Sequence, residues 1–86
     1  MPEISRFYGI VIRMFFNDHM PPHFHAEYGS DEVVIAIANL AAISGRVPPR
    51  AMGLLIEWAT LHQVELYAQW EHVKRHEAPS RIDPLP

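Results

Sequence analysis

The feature that most constrains the fold is a change in residue type halfway along the chain. Residues 50–77 contain a single glycine and no proline, and eight of the eleven residues from Ala51 to Leu61 are apolar. This pattern predicts a helix that is covered on most of its sides. Residues 4–47 are instead rich in β-branched and aromatic residues between turn-forming clusters, which predicts strands. Sheet followed by helix indicates an α+β fold.

For the first half we predict an antiparallel meander of three strands, or four if residues 42–47 add a short one. The first strand is predicted over residues 6–16, the second over 23–28, and the third from Val33 onward. The segment between the first two strands, NDHMPP, has the composition of a loop.

Alternation along the second predicted strand separates its side chains into two faces. Phe24 and Ala26 point to the core, while His23, His25 and Glu27 point the other way. The register that keeps apolar residues together pairs residues 14 with 26 and 33 with 28. It places Arg13 opposite Glu27, with residues 36 and 38 beneath the two histidines.

The second half is predicted to be one long C-terminal helix packed against the meander. An unbroken helix over residues 49–76 would be about 42 Å long, whereas a domain of this size has a radius of gyration of about 12 Å. The helix must therefore kink near His62, or its second half must project. Residues 1–77 form the predicted domain. Residues 78–86 form a tail with three prolines, predicted to be extended and to lie back over the fold.

Composition excludes several classes of protein. The chain has no cysteine, which rules out disulfides, thiolate metal sites and a cysteine nucleophile. A net charge of −3 does not support nucleic-acid binding. The strongly apolar runs are about six residues long, against the roughly 18–20 of a membrane helix. The N-terminal residues do not resemble a secretory signal, so we expect a cytoplasmic protein without a membrane partner.

The candidate functional residues are a cluster of histidines. His23, His25 and Glu27 share one face of the predicted strand, and His19 lies in the preceding proline-containing loop. Imidazoles at this spacing with a nearby carboxylate suit zinc, nickel or ferrous iron. The sequence thus predicts a divalent metal site formed by these four residues.

Two other interpretations remain open at this point. His-x-His on a strand can be two half-exposed imidazoles that bind no metal. Alternatively, His19, His23 and His25 could act as acid and base in a ribonuclease-like reaction, with Arg13 holding phosphate. A second anion-binding residue would be Arg50, which follows two prolines at the predicted helix start.

The apolar helix also predicts a protein interface. It carries more apolar surface than one small sheet readily covers, so we expect contacts through Leu54, Trp58 and Leu61. The partner would be a second copy of the chain or another small protein.

Four segments together have a distinctive form: MPEISRFYGI at residues 1–10, FNDHMPPHFH at 16–25, VPPRA at 47–51 and EWATLH at 57–62. In these segments the chain resembles a family of small bacterial proteins catalogued as domain of unknown function 4160. The resemblance implies one component of a two-gene cassette similar to a toxin–antitoxin module, with a partner encoded by the neighbouring gene. It implies no set of catalytic residues, so the alternative function is a small metal-dependent or ribonuclease-like enzyme.

Overall fold

The computed structural model describes residues 3–86 as a five-stranded antiparallel sheet followed by two helices, so the predicted α+β meander is confirmed with one additional strand. The strands lie side by side in chain order. The elements are β1 (Glu3–Phe7), β2 (Ile10–Arg13), β3 (His23–Tyr28), β4 (Asp31–Ala36), β5 (Ala42–Gly45), α1 (Pro49–Leu61) and α2 (Gln63–Lys74). Among the described residues, no helix has the length and apolar character needed to cross a membrane.

The additional strand arises because a tight turn divides the first predicted strand. Tyr8 and Gly9 have φ angles of 48° and 84°, and Phe7 pairs with Ile10 across them. Positive φ at both central positions is the geometry of a two-residue hairpin. The prediction of one strand over residues 6–16 is therefore wrong. Apolar alternation continues across the turn and conceals it, and only the glycine marks the position.

The registers differ from the predicted ones by two residues. Ile12, rather than residue 14, pairs with Ala26, so Arg13 lies opposite His25 instead of Glu27. A shift of two residues leaves every side chain on its predicted face, because the side-chain period of a strand is two. Hydrophobic patterning therefore cannot distinguish these two registers.

The same shift occurs between β3 and β4. Ala26 pairs with residue 33, so Val34 lies opposite His25 and Ala36 opposite His23. The predicted positions beneath the histidines, residues 36 and 38, are each two residues too far along. The site wall beside His25 is consequently a valine rather than an alanine.

The core lies between one face of the sheet and the helices. Trp58 of α1 is fully buried, with its ring centroid 5.2 Å from that of Phe7 and 6.0 Å from that of Phe24. Burying an apolar side chain of this kind stabilises the fold by about 1.5–3 kcal/mol. Trp58 therefore belongs to the interior of the single chain and offers no surface to a partner.

The prediction of a single long helix is wrong: the helical half consists of two helices that meet at His62, near the position given for a kink. This residue has φ −121° and ψ 23°, and it separates α1 from α2. Gln63 donates a hydrogen bond from Nε2 to the carbonyl of Ile37 at 2.6 Å, which ties the start of α2 to the end of the sheet. Trp70 and Val73 are buried and the radius of gyration is 11.6 Å, so α2 packs on the domain and does not project.

The C-terminal tail lies back over the fold, as predicted, and completes the core. Ile82 and Leu85 are buried, and the Ile82 amide donates to the carbonyl of Ile4 at 2.7 Å. The indole N–H of Trp58 donates to the carbonyl of Asp83 at 2.8 Å. The tail thus covers both the outer edge of β1 and the central tryptophan.

A carboxylate at this edge makes the stability of the fold sensitive to acid. Hydrogen bonding from the Arg6 guanidinium, 2.8 Å away, lowers the pKa of Glu3 from 4.5 to about 2, and Arg81 of the tail lies 3.2 Å from the same carboxylate. A pKa depressed by folding contributes stability that is complete above pH 4.5 and is lost as the pH falls towards 2. In urea unfolding at pH 6, we expect the wild-type protein to have a larger free energy of unfolding than Glu3→Gln. This difference should disappear as the pH falls through this window. A pH-independent difference would contradict it.

Candidate metal centre

Three side chains meet on the sheet face opposite that of Phe24. The Nε2 atoms of His23 and His25 lie 3.3 Å and 3.1 Å from the same atom, Oδ2 of Asp18. One ligand atom from each residue lies within 4.8 Å of the others, which is compact enough to surround a metal ion. All three side chains are less than a fifth exposed, so water competes weakly for the ligand atoms.

Local structure explains how the three residues converge. The alternation of β3 points both histidines to the same face, two residues apart. The loop between β2 and β3 folds back over this face and carries Asp18. Its last residue, Pro22, accepts a hydrogen bond from the amide of Ile37 at 3.0 Å, which anchors the loop to the chain that follows β4.

Aromatic rings pack around the two imidazoles. The ring of Phe15 meets that of His25 edge-on at 4.5 Å, and the ring of Trp70 lies 5.2 Å from that of His23. The two imidazole rings are 5.3 Å apart. These contacts restrict ring rotation, so the Nε2 atoms are held in place before any ligand binds.

The protonation of His23 follows from its backbone contact. Its Nδ1 lies 2.7 Å from the carbonyl oxygen of Pro21. A carbonyl oxygen only accepts hydrogen bonds, so Nδ1 must carry the proton. In the neutral ring Nε2 then holds a lone pair, and this lone pair faces the Asp18 carboxylate. The Nε2 lone pair and the carboxylate oxygen are both acceptors and would repel each other. A proton or a metal ion bound between them removes this repulsion.

The surrounding charges also favour a cation. Two carboxylates contact His25, those of Asp18 and Glu32, while Arg13 lies opposite His25 on β2 and forms an ion pair with Glu27. Arg13 donates from Nε to Glu27 at 3.2 Å, which confirms the predicted ion pair although the register differs. The excess of negative charge in this network matches the charge of a divalent cation.

The site differs from the one predicted from sequence. His23 and His25 lie in it, whereas His19 is exposed and lies outside the group, and Glu27 pairs with Arg13 instead. Asp18 is the member of the group that sequence reasoning missed. Asp18 directly precedes His19 in the loop. The sequence signals for it were its carboxylate, which can bind a metal, and its place in the loop before the two histidines.

The other predicted site residues lie elsewhere. Arg50, in the first turn of α1, lines a cavity of about 240 Å³ with Leu54, Tyr8 and Tyr28, and Arg13 is not among its lining residues. Of the three predicted interface residues, Leu61 is 64% exposed, Leu54 is half-buried and Trp58 is buried. Only the first two can contribute to an accessible surface.

Comparison with known proteins places the chain in a family. Neither the curated proteins nor the solved structures include a match to it. One family model, described as domain of unknown function DUF4160, matches residues 9–71. This segment contains the complete Asp18–His23–His25 group and most of both helices. The chain therefore belongs to the DUF4160 family of domains of unknown function.

Proposed function

We propose that this protein binds one divalent first-row transition metal ion through Asp18 Oδ2, His23 Nε2 and His25 Nε2. The observation that carries the proposal is the hydrogen bond from His23 Nδ1 to the Pro21 carbonyl, which directs the Nε2 lone pair at a carboxylate. Metal-binding histidines in general use their second ring nitrogen in this way.

The ligand set limits the choice of metal. Two imidazoles and one carboxylate suit zinc, nickel or ferrous iron. Three protein ligands leave coordination positions for water or a substrate, as in catalytic rather than structural zinc sites. A metal held in this way would polarise a bound water or carbonyl, so the chemistry supported best is metal-dependent hydrolysis.

A second candidate function is acid–base catalysis without a metal, in which a proton occupies the position between the imidazoles and Asp18. His23 and His25 share one carboxylate, and an imidazolium beside a neutral imidazole could serve as acid and base. Arg13, opposite His25, would then orient an anionic substrate. His19, which the sequence placed in this role, lies outside the group.

Metal titration distinguishes the two candidates. Chelator-treated protein is titrated with Zn²⁺, Ni²⁺ and, without oxygen, Fe²⁺, by calorimetry at neutral pH. We expect uptake of one ion per chain and a higher melting temperature, because a ligand that binds the folded state stabilises it. His23→Ala should abolish both effects, while His72→Ala, at the end of α2, should retain them. Absence of uptake for all three ions would leave the acid–base candidate.

We also propose that the protein acts with a protein partner in a two-gene, toxin–antitoxin-like module, as the family resemblance implies. Support comes from apolar side chains at the junction of α1 and α2, where Leu61 and Val64 are 64% and 83% exposed. The partner would be the product of the neighbouring gene or a second copy of the chain.

Growth and association assays test the partner proposal. We expect one of the two genes, expressed alone, to arrest growth, and the other to restore it. Light scattering should show a complex or homodimer that Leu61→Ser combined with Val64→Ser dissociates. Normal growth with each gene alone would contradict the toxin–antitoxin role, and a monomer that ignores the neighbouring protein would contradict the interface.

A further inference from the structure

The second ring nitrogen of His25 has unusual surroundings. Nδ1 is buried and has no hydrogen-bond partner within residues 3–86. Oε2 of Glu32 on β4 lies 3.4 Å from it but is not aligned as a hydrogen bond. A buried polar nitrogen without a partner is unusual in a folded protein and calls for an explanation.

Metal binding supplies that explanation. When Nε2 of a neutral imidazole coordinates a metal, the ring proton must reside on Nδ1, which becomes a stronger hydrogen-bond donor. The Glu32 side chain is 48% exposed and so has room to rotate, and a small rotation would align its carboxylate with Nδ1. His23 meets the same requirement with the backbone carbonyl of Pro21.

We propose that Glu32 is the positioning residue of the metal centre: it accepts the hydrogen bond from His25 Nδ1 and thereby fixes the tautomer and orientation of the ring. This inference rests on the proposed metal function. Each histidine then has its own acceptor, a backbone carbonyl for His23 and a side-chain carboxylate for His25. The second of these can be removed by mutation without touching a ligand.

The neighbouring residue provides a matched control. Asp31 directly precedes Glu32 on β4, is exposed and carries the same charge, but alternation along the strand points its side chain to the other face. Replacing either residue with alanine removes one negative charge at nearly the same place. A difference between the two variants therefore reports the contact with His25 rather than net charge.

The experiment measures zinc affinity by competition with a chromophoric chelator. We expect Glu32→Ala to weaken binding about 10- to 100-fold, as loss of an outer partner of a ligand does. Asp31→Ala should change it less than about threefold, since an exposed charge is screened by salt. In ¹⁵N spectra of the zinc-bound protein, Glu32→Ala should lose the protected Nδ1–H signal of His25 but keep that of His23.

Two results would overturn the inference while leaving the metal site intact. One is a Glu32→Ala variant that binds zinc as tightly as Asp31→Ala does. The other is a spectrum in which His25 coordinates zinc through Nδ1. If the wild-type protein takes up no metal at all, the proposed function fails, and the inference fails with it.

Discussion

Replacing Trp58 with alanine should remove about 3–5 kcal/mol from the free energy of unfolding, as large-to-small changes in a core do. Trp58 packs against Phe7 and Phe24 of the sheet, and its indole N–H binds the carbonyl of Asp83 in the tail. One side chain thus joins the sheet, α1 and the tail. For 86 residues the total stability is about 4–13 kcal/mol, so this loss could unfold much of the protein at 37 °C.

Urea unfolding followed by circular dichroism measures this effect. Glu57→Ala on the same helix is the control, because truncation of an exposed side chain should change stability by no more than about 0.5 kcal/mol. Trp58→Phe keeps most of the packing but lacks the hydrogen bond to the tail, so its loss should be intermediate. The opposite result would be a Trp58→Ala variant that is as stable as the wild type but monomeric where the wild type is an oligomer. That result would show that Trp58 is an interface residue.

The second large effect distinguishes the two loop residues that could be metal ligands. Asp18→Asn should weaken zinc binding by more than about 100-fold, exceeding the effect of losing an outer partner. The substitution keeps the size of the side chain but removes the charge facing both Nε2 atoms. His19→Ala should leave affinity almost unchanged, because His19 is exposed and outside the group.

The comparison is informative because the two residues are adjacent in the same loop. Both variants should retain the fold, since neither side chain belongs to the buried core. Calorimetry with zinc provides the affinities, and thermal melting without metal confirms the fold. A loss of binding in His19→Ala with full binding in Asp18→Asn would restore the ligand set predicted from the sequence and refute the geometry described above.

Features that depend on local periodicity were predictable from the sequence. The contrast between the two halves predicted the α+β order, and the alternation of HFHAEY predicted that His23 and His25 share the face opposite Phe24. The conflict between helix length and domain size left two outcomes open, a kink near His62 or a projecting second half, and the structure has two helices that meet at His62. Each of these features depends either on residue spacing along the chain or on a limit to helix length. Spacing and length can be read without knowledge of contacts between residues that are distant in sequence.

The sequence by itself determined which face each strand residue occupies, because side-chain direction in a strand depends on the backbone period alone. Only the tertiary structure decided the registers, since a shift of two residues preserves both faces. It also decided that Asp18 rather than His19 meets the histidines, because the direction of a loop side chain depends on the path of the loop. In the same way, the tail became part of the core only through contacts with Ile4 and Trp58, which are far away in sequence.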